Sequence, residues 1–132
     1  MKSPPKISDA ELRIMKILWQ KHPLTTNEVV NKLAKRSSWS DQTIRTLLKR
    51  LVDKKVLRAE KDGRQFKYTP LFTRDQIVKH ERRSFLDRFY DGAASRMLAA
   101  FIEDESLSDK DLKRLKALLE QCEGESRGDY SK

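Results

Sequence analysis

The stretch Trp39-Ser-Asp-Gln-Thr-Ile-Arg-Thr-Leu-Leu-Lys-Arg-Leu-Val-Asp53 reads as a helix with two different faces. Ile44, Leu47, Leu48, Leu51 and Val52 recur at the spacing that lines one side of an α-helix with apolar side chains. Ser40 stands where a side-chain oxygen can cap the free N–H groups of the first turn, and Asp41 complements the positive helix end. The opposite face carries Gln42, Thr43, Arg45, Thr46, Lys49 and Arg50. Any solvated face is polar, so the choice of residues decides the reading. No glutamate occurs there, and the only acids, Asp41 and Asp53, stand at the helix ends. Short or planar hydrogen-bonding side chains near the N-terminal end suit base edges in a DNA major groove, and Arg45 can fork onto guanine O6 and N7.

Downstream lie two alternating runs, Val56-Leu-Arg-Ala-Glu-Lys61 and Arg64-Gln-Phe-Lys-Tyr-Thr69, with Asp62-Gly63 between them. This pattern predicts a hairpin closed by a type I′ turn centred on Asp62-Gly63, since both central positions of that turn need positive φ. Leu57, Phe66 and Tyr68 are expected to cover a core, with Arg58, Lys61, Arg64 and Lys67 pointing outward. Upstream, Ser8-Asp-Ala-Glu11 and Thr25-Thr-Asn-Glu28 are capping boxes. The first opens a helix with Leu12, Met15, Leu18 and Trp19 on one face, stopped by Pro23; the second opens a short helix with Val29, Val30 and Leu33 inward. Ser37-Ser38-Trp39-Ser40 separates this helix from the third. Three helices and a basic hairpin make a winged helix-turn-helix, with the third helix in the major groove and Lys61, Arg64 and Lys67 of the wing on phosphate.

Charge agrees with this placement. Residues 1–71 hold 17 Lys/Arg against 7 Asp/Glu, a net of +10, whereas residues 72–132 hold 12 against 13, a net of −1. A basic excess confined to one half is a polyanion-binding signature. Nucleic acid fits it better than an anionic membrane, because no basic stretch is paired with a long apolar helix face.

The second half reads as helices. Thr73-Arg-Asp-Gln76 is another capping box, ahead of Ile77, Val78, Phe85, Leu86, Phe89 and Tyr90 in a helix ending near Gly92. A shorter apolar helix covers Ala93 to Ile102, and Ser108 caps a last one with Leu112, Leu115, Leu118 and Leu119, onto which Leu107 can staple. Helices of this size cannot bury so many large apolar residues alone. A two-fold dimer is expected, with Ile77, Phe85, Phe89, Met97, Phe101, Leu112, Leu115 and Leu119 in its face; folding back onto the winged helix as one monomeric core is the alternative. The expected fold class is mostly α with a small β-wing: a winged helix-turn-helix DNA-binding domain over residues 1–71, a helical dimerisation module over 72–123 and a disordered tail over 124–132.

At this point the chain resembles the penicillinase and methicillin-resistance repressors. The resemblance rests on the Trp39–Leu51 motif, the Glu11 to Trp19 helix, the Lys61-Asp-Gly-Arg64 wing and the Phe89-Tyr-Asp-Gly92 region, and spans nearly the whole chain. It implies base-edge and phosphate contacts from Gln42, Thr43, Arg45 and Thr46, and a homodimer on a palindromic operator of β-lactamase or penicillin-binding-protein genes. It also implies release by proteolysis at Ala100–Phe101, triggered by a membrane-bound metalloprotease that senses β-lactams. Two positions depart from the family: lysine at Lys55, where glycine is usual at a helix C′ position, and alanine at Ala100, where asparagine usually precedes the phenylalanine.

Other chemistry finds no support. No phosphate-binding, dinucleotide-binding, nucleophile-elbow or zinc-protease motif occurs, so no enzyme, cofactor or metal is expected. His22 and His80 stand alone, and Cys122, at a leucine-stripe position, is expected to be a small buried hydrophobe rather than part of a copper site. No apolar run approaches the ~20 residues of a membrane span, and the N-terminus carries no signal-peptide pattern, which points to the cytoplasm. A less specific architectural DNA binder and a protein-interaction adaptor on the same scaffold remain as rivals.

Overall fold

The computed structural model describes residues 3–104 and 106–126. Its elements run α1 (Asp9–Gln20), β1 (Leu24–Thr25), α2 (Thr26–Ala34), α3 (Asp41–Asp53), β2 (Leu57–Asp62), β3 (Gln65–Pro70), α4 (Arg74–Tyr90), α5 (Ala94–Glu103) and α6 (Asp109–Ser126). The chain divides into two compact units, with the division between Ser84 and Phe85.

In the first unit the capping boxes form as the sequence requires. Ser8 Oγ accepts from the Glu11 N–H while Glu11 accepts from the Ser8 N–H, and Thr25 and Glu28 repeat the exchange for α2. The apolar stripes of α1, α2 and α3 meet in one core containing Ile14, Met15, Leu18, Val29, Leu33, Ile44, Leu48 and Leu51. Leu57 and Tyr68 of the hairpin close it from the sheet side.

The sheet has one strand more than the sequence pattern suggested. Leu24 and Thr25 pair antiparallel with Tyr68 and Lys67, giving the order β1-β3-β2. Thr25 thus serves both as a strand residue and as the α2 cap. Between β2 and β3 the register pairs Asp62 with Gln65, so the turn is centred on Gly63-Arg64 rather than Asp62-Gly63. Gly63 has φ +65 and Arg64 is not among the positive-φ residues, so glycine is needed only at the first central position, the requirement of a type II′ turn. The same register corrects the facing of the hairpin. Leu57, Ala59 and Lys61 share a face with Pro70, Tyr68 and Phe66, and the hairpin tip runs past the core, leaving Phe66 46% exposed.

Helix α3 ends in a Schellman motif. The Val56 N–H donates to the Leu51 carbonyl (2.9 Å) and the Lys55 N–H to the Val52 carbonyl (2.9 Å), with Lys55 itself at φ +65. Leu51 and Val56 are both fully buried, supplying the apolar contact that accompanies the motif.

The N-terminal unit takes in the first part of α4. Thr73 and Gln76 form the expected capping box, and Ile77 is only 3% exposed. That burial corrects one expectation: Ile77 is already covered by its own chain and has no surface to give a partner.

The second unit contains the end of α4 with α5 and α6. Ser108 and Asp111 cap α6 as the sequence implied. Helix α6 continues to Ser126, past the expected boundary at residue 123, and the rest of the tail, 127–132, lies outside the described residues. Cys122 is exposed, not buried. No helix is long and apolar enough to cross a membrane among the described residues.

Candidate nucleic-acid interface

Helix α3 presents its polar face as a unit. Ile44, Leu47, Leu48 and Leu51 are buried, while Gln42, Thr43, Arg45, Thr46, Lys49 and Arg50 are all exposed. Burial of one stripe fixes the rotation of the helix, and the six polar side chains therefore face solvent together. The Ser40 hydroxyl accepts from the Thr43 N–H (3.2 Å) and bonds the Thr43 hydroxyl (3.0 Å). The Thr46 hydroxyl donates to the Gln42 carbonyl (2.9 Å). With its proton committed, Thr46 offers acceptor lone pairs and a methyl group, a pairing suited to donor atoms and thymine methyls on base edges. Arg45, Lys49 and Arg50 take part in none of the three ion pairs found among the described residues.

The wing is less uniform. Lys61 and Arg64 are exposed near its tip without an acidic partner among the described residues. Lys67 lies 3.2 Å from Asp62, and Arg58 lies 2.9 Å from Glu60. Such exposed pairs are worth about 0–1 kcal/mol, so a phosphate can displace the carboxylate from Lys67 at little cost.

One contact that supports this surface has no local signal in the sequence. The Arg13 guanidinium stacks over the Trp39 ring at 4.4 Å and donates to the Arg36 carbonyl (3.4 Å). It thereby ties α1 to the turn that precedes α3. Twenty-six positions separate Arg13 from Trp39, beyond the reach of any periodicity argument.

The expected partner-facing residues divide by exposure. In the second unit Phe85, Phe89, Phe101, Leu112 and Leu119 are exposed, Phe89 by 61%, and Met97 and Leu115 are half-buried. The Phe85 and Phe89 rings pack at a tilt of 42° with centroids 5.0 Å apart. Of the described residues in this unit, only Leu86 is buried. Ala100 and Phe101 lie inside α5, where the Ala100 carbonyl accepts from the Asp104 N–H (3.0 Å). No group of His, Cys, Asp or Glu among the described residues could hold a metal ion.

A three-helix core, a three-stranded sheet and an exposed, acid-poor third helix define a winged helix-turn-helix of the DNA-binding repressor class. The penicillinase repressor family model matches residues 7–121, and the chain belongs to that family. It is 42% identical over 121 residues to the penicillinase repressor of Bacillus licheniformis, covering 92% of this chain and 94% of the relative. Against the methicillin resistance regulatory protein MecI of Staphylococcus aureus (strain N315) it is 31% identical over 114 residues, 86% of this chain and 93% of the relative. Two solved structures align with 58% of this chain and 93% of their own at 47% identity. They are the DNA-binding domain of the repressor BlaI (TM-score 0.53) and the Bacillus licheniformis BlaI monomeric form in complex with the blaP half-operator (TM-score 0.51).

Proposed function

We propose that this protein is a cytoplasmic transcriptional repressor that binds a palindromic operator as a homodimer, reads it with α3 and is released by proteolysis in its second unit. The observation that carries the DNA-reading part is the α3 face: six exposed side chains suited to bases and phosphates, held in register by a buried stripe and a side-chain cap. Arg45, Gln42, Thr43 and Thr46 contact base edges. Lys49, Arg50, Lys61, Arg64 and Lys67 take phosphate.

Support for the homodimer comes from the second unit, whose large apolar residues remain uncovered in the single chain. Exposed patches of this kind mark association surfaces, and a two-fold dimer would place two recognition helices on two half-sites. Family membership supports a regulon of β-lactamase or penicillin-binding-protein genes and a membrane sensor metalloprotease as the partner that cuts Ala100–Phe101. Severing that bond would detach α6 and, with it, the second DNA contact of the dimer.

Footprinting on genomic DNA across a salt series tests the reading. A protected two-fold site is expected, with affinity falling at a slope of about −0.9 per phosphate contact. Protection without sequence preference would instead indicate an architectural DNA binder. No binding at any salt would indicate a protein-interaction adaptor.

A further inference from the structure

A cleft of about 680 Å³ lies in the first unit, away from the polar face of α3. Its walls come from the end of α1, the end of β3 and the first turn of α4. Trp19, Pro70, Leu71 and Phe72 give it apolar surface, and Lys16, His22, Arg74 and Asp75 stand around them. The volume is in the range of sites for small organic molecules.

The feature that marks it as built is Leu71. This leucine is 47% exposed although the backbone around it is pinned on both sides. Its N–H donates to the Val56 carbonyl (2.8 Å), and the next carbonyl, that of Phe72, accepts from Trp19 Nε1 (2.9 Å). Pro70 before it has a fixed φ. Leu71 is therefore held outward by a rigid connection, and the cleft is formed before anything enters it. The charges select the occupant. Lys16 and Arg74 form no ion pair among the described residues, and Asp75 forms none either. Two lysine or arginine cations against one carboxylate favour a single negative charge and disfavour a dianion. His22 Nδ1–H donates to the Leu18 carbonyl (2.8 Å), which leaves Nε2 as the ring's remaining polar atom.

We propose that this cleft binds a small organic monoanion with a flat apolar body, its carboxylate between Lys16 and Arg74 and its body against Trp19 and Leu71. The cleft shares no residue with the polar face of α3, so its ligand is independent of the repressor reading. A ligand there rests on the strut between Trp19 and Phe72, the link from α1 to the start of α4.

The two tryptophans of the chain make the test direct, since each indole N–H gives its own signal in a nitrogen-15 spectrum of the full-length protein. Titration with 2-naphthoate should move the Trp19 indole signal and the Leu71 and Phe72 amides saturably, while Trp39 stays in place. The neutral 2-naphthamide should bind more weakly, and the exposed double substitution Lys16→Ala, Arg74→Ala should cost about tenfold in affinity for 2-naphthoate, two partly solvated charge contacts. Three outcomes would overturn the proposal: no saturable shift at Trp19, shifts concentrated at Phe85 and Phe89 instead, or equal affinity for the amide or for the double variant.

Discussion

Lys54 Nζ lies 2.6 Å from Glu11 Oε1, joining the C-cap of α3 to the first turn of α1. The same ammonium donates to the Lys6 carbonyl (3.0 Å), and the same carboxylate oxygen accepts from the Ser8 N–H (2.8 Å). Glu11 is almost fully buried, and its second oxygen is buried without a hydrogen-bond partner. The pair therefore positions α3 against α1 from the end opposite the Arg13–Trp39 stack.

This arrangement gives the fold an acid-sensitive element. Burial alone would raise the Glu11 pKa, but the hydrogen bonds from Lys54 and Ser8 and the charge of Lys54 outweigh it, holding the carboxyl below its ordinary value. A carboxyl with a lowered folded pKa binds protons more readily in the unfolded chain. Its contribution is complete above the ordinary carboxylate pKa and is lost as pH falls through the lower folded value. Denaturant unfolding should thus show stability declining below pH of about 5. Glu11→Gln should cost about 1–3 kcal/mol at neutral pH, the scale of a lost charged hydrogen bond in a buried setting, and should flatten that acid limb. An unchanged limb in the variant would assign the acid response to other carboxylates, of which Glu28, also held below its ordinary value by Thr25, is the first to test.

Lys55 occupies the left-handed C′ position of a Schellman motif, where a β-carbon is strained. Lys55→Gly should stabilise the first unit by about 1 kcal/mol, raising Tm by roughly 4–8 °C for a unit of this size. DNA affinity should change little, since the strain sits beyond the last turn of α3. Thermal unfolding followed by circular dichroism reads the first effect. No gain in Tm would mean that the lysine makes a compensating contact.

The helical half of the fold was legible because its signals are local: four-residue capping boxes and stripes at helical spacing. Strand β1 was not, because two residues carry no period and Leu24 and Thr25 become a strand only by pairing with residues more than forty positions away. The turn lies one residue beyond the expected position for a related reason. Asp-Gly and Gly-Arg both satisfy a two-residue hairpin, and the choice between them is made by the register that seats Leu57 and Tyr68 in the core. For the candidate nucleic-acid interface, the exposed residues of α3 follow from periodicity. The Arg13–Trp39 and Glu11–Lys54 ties do not, since each joins residues that only the tertiary fold brings together.

Base reading and phosphate contact can be separated by substitution. Arg45→Ala should cost about 1–3 kcal/mol on the operator and relax preference at one base pair, while its effect on random DNA stays small. Lys61→Ala and Arg64→Ala should weaken both sequences alike and reduce the salt slope by about one phosphate contact each. Equal losses on operator and random DNA for Arg45→Ala would remove it from the base-reading set.

The exposed apolar residues of the second unit can be tested without reference to DNA sequence. Phe89→Ser with Leu119→Ser removes two of the most exposed large side chains, and neither is buried in the single chain. The pair should shift sedimentation from dimer to monomer at micromolar concentration while the circular dichroism spectrum keeps its helix content. Operator affinity should fall with it. A dimer that persists would place the interface on another face.

The proposed cleavage at Ala100–Phe101 has a structural precondition. A protease needs an extended backbone, whereas this bond is helical in α5, with the Ala100 carbonyl engaged by the Asp104 N–H. The helix must open first, and α5 is poorly equipped to resist: it is ten residues long and its N-cap, Ala93, supplies no side-chain hydrogen bond. Because short helices form cooperatively, a better cap stabilises the distant turn as well. Ala93→Asp should supply the missing acceptor and complement the helix end, a gain of about 1 kcal/mol. Where opening is fast compared with cutting, the rate follows the open population, so cleavage should slow by about fivefold. Thermolysin, which cuts before large apolar residues, can serve as the probe, with fragment masses reporting this bond alone. An unaltered rate would show that α5 does not protect the bond and that access, rather than helix opening, limits cutting there.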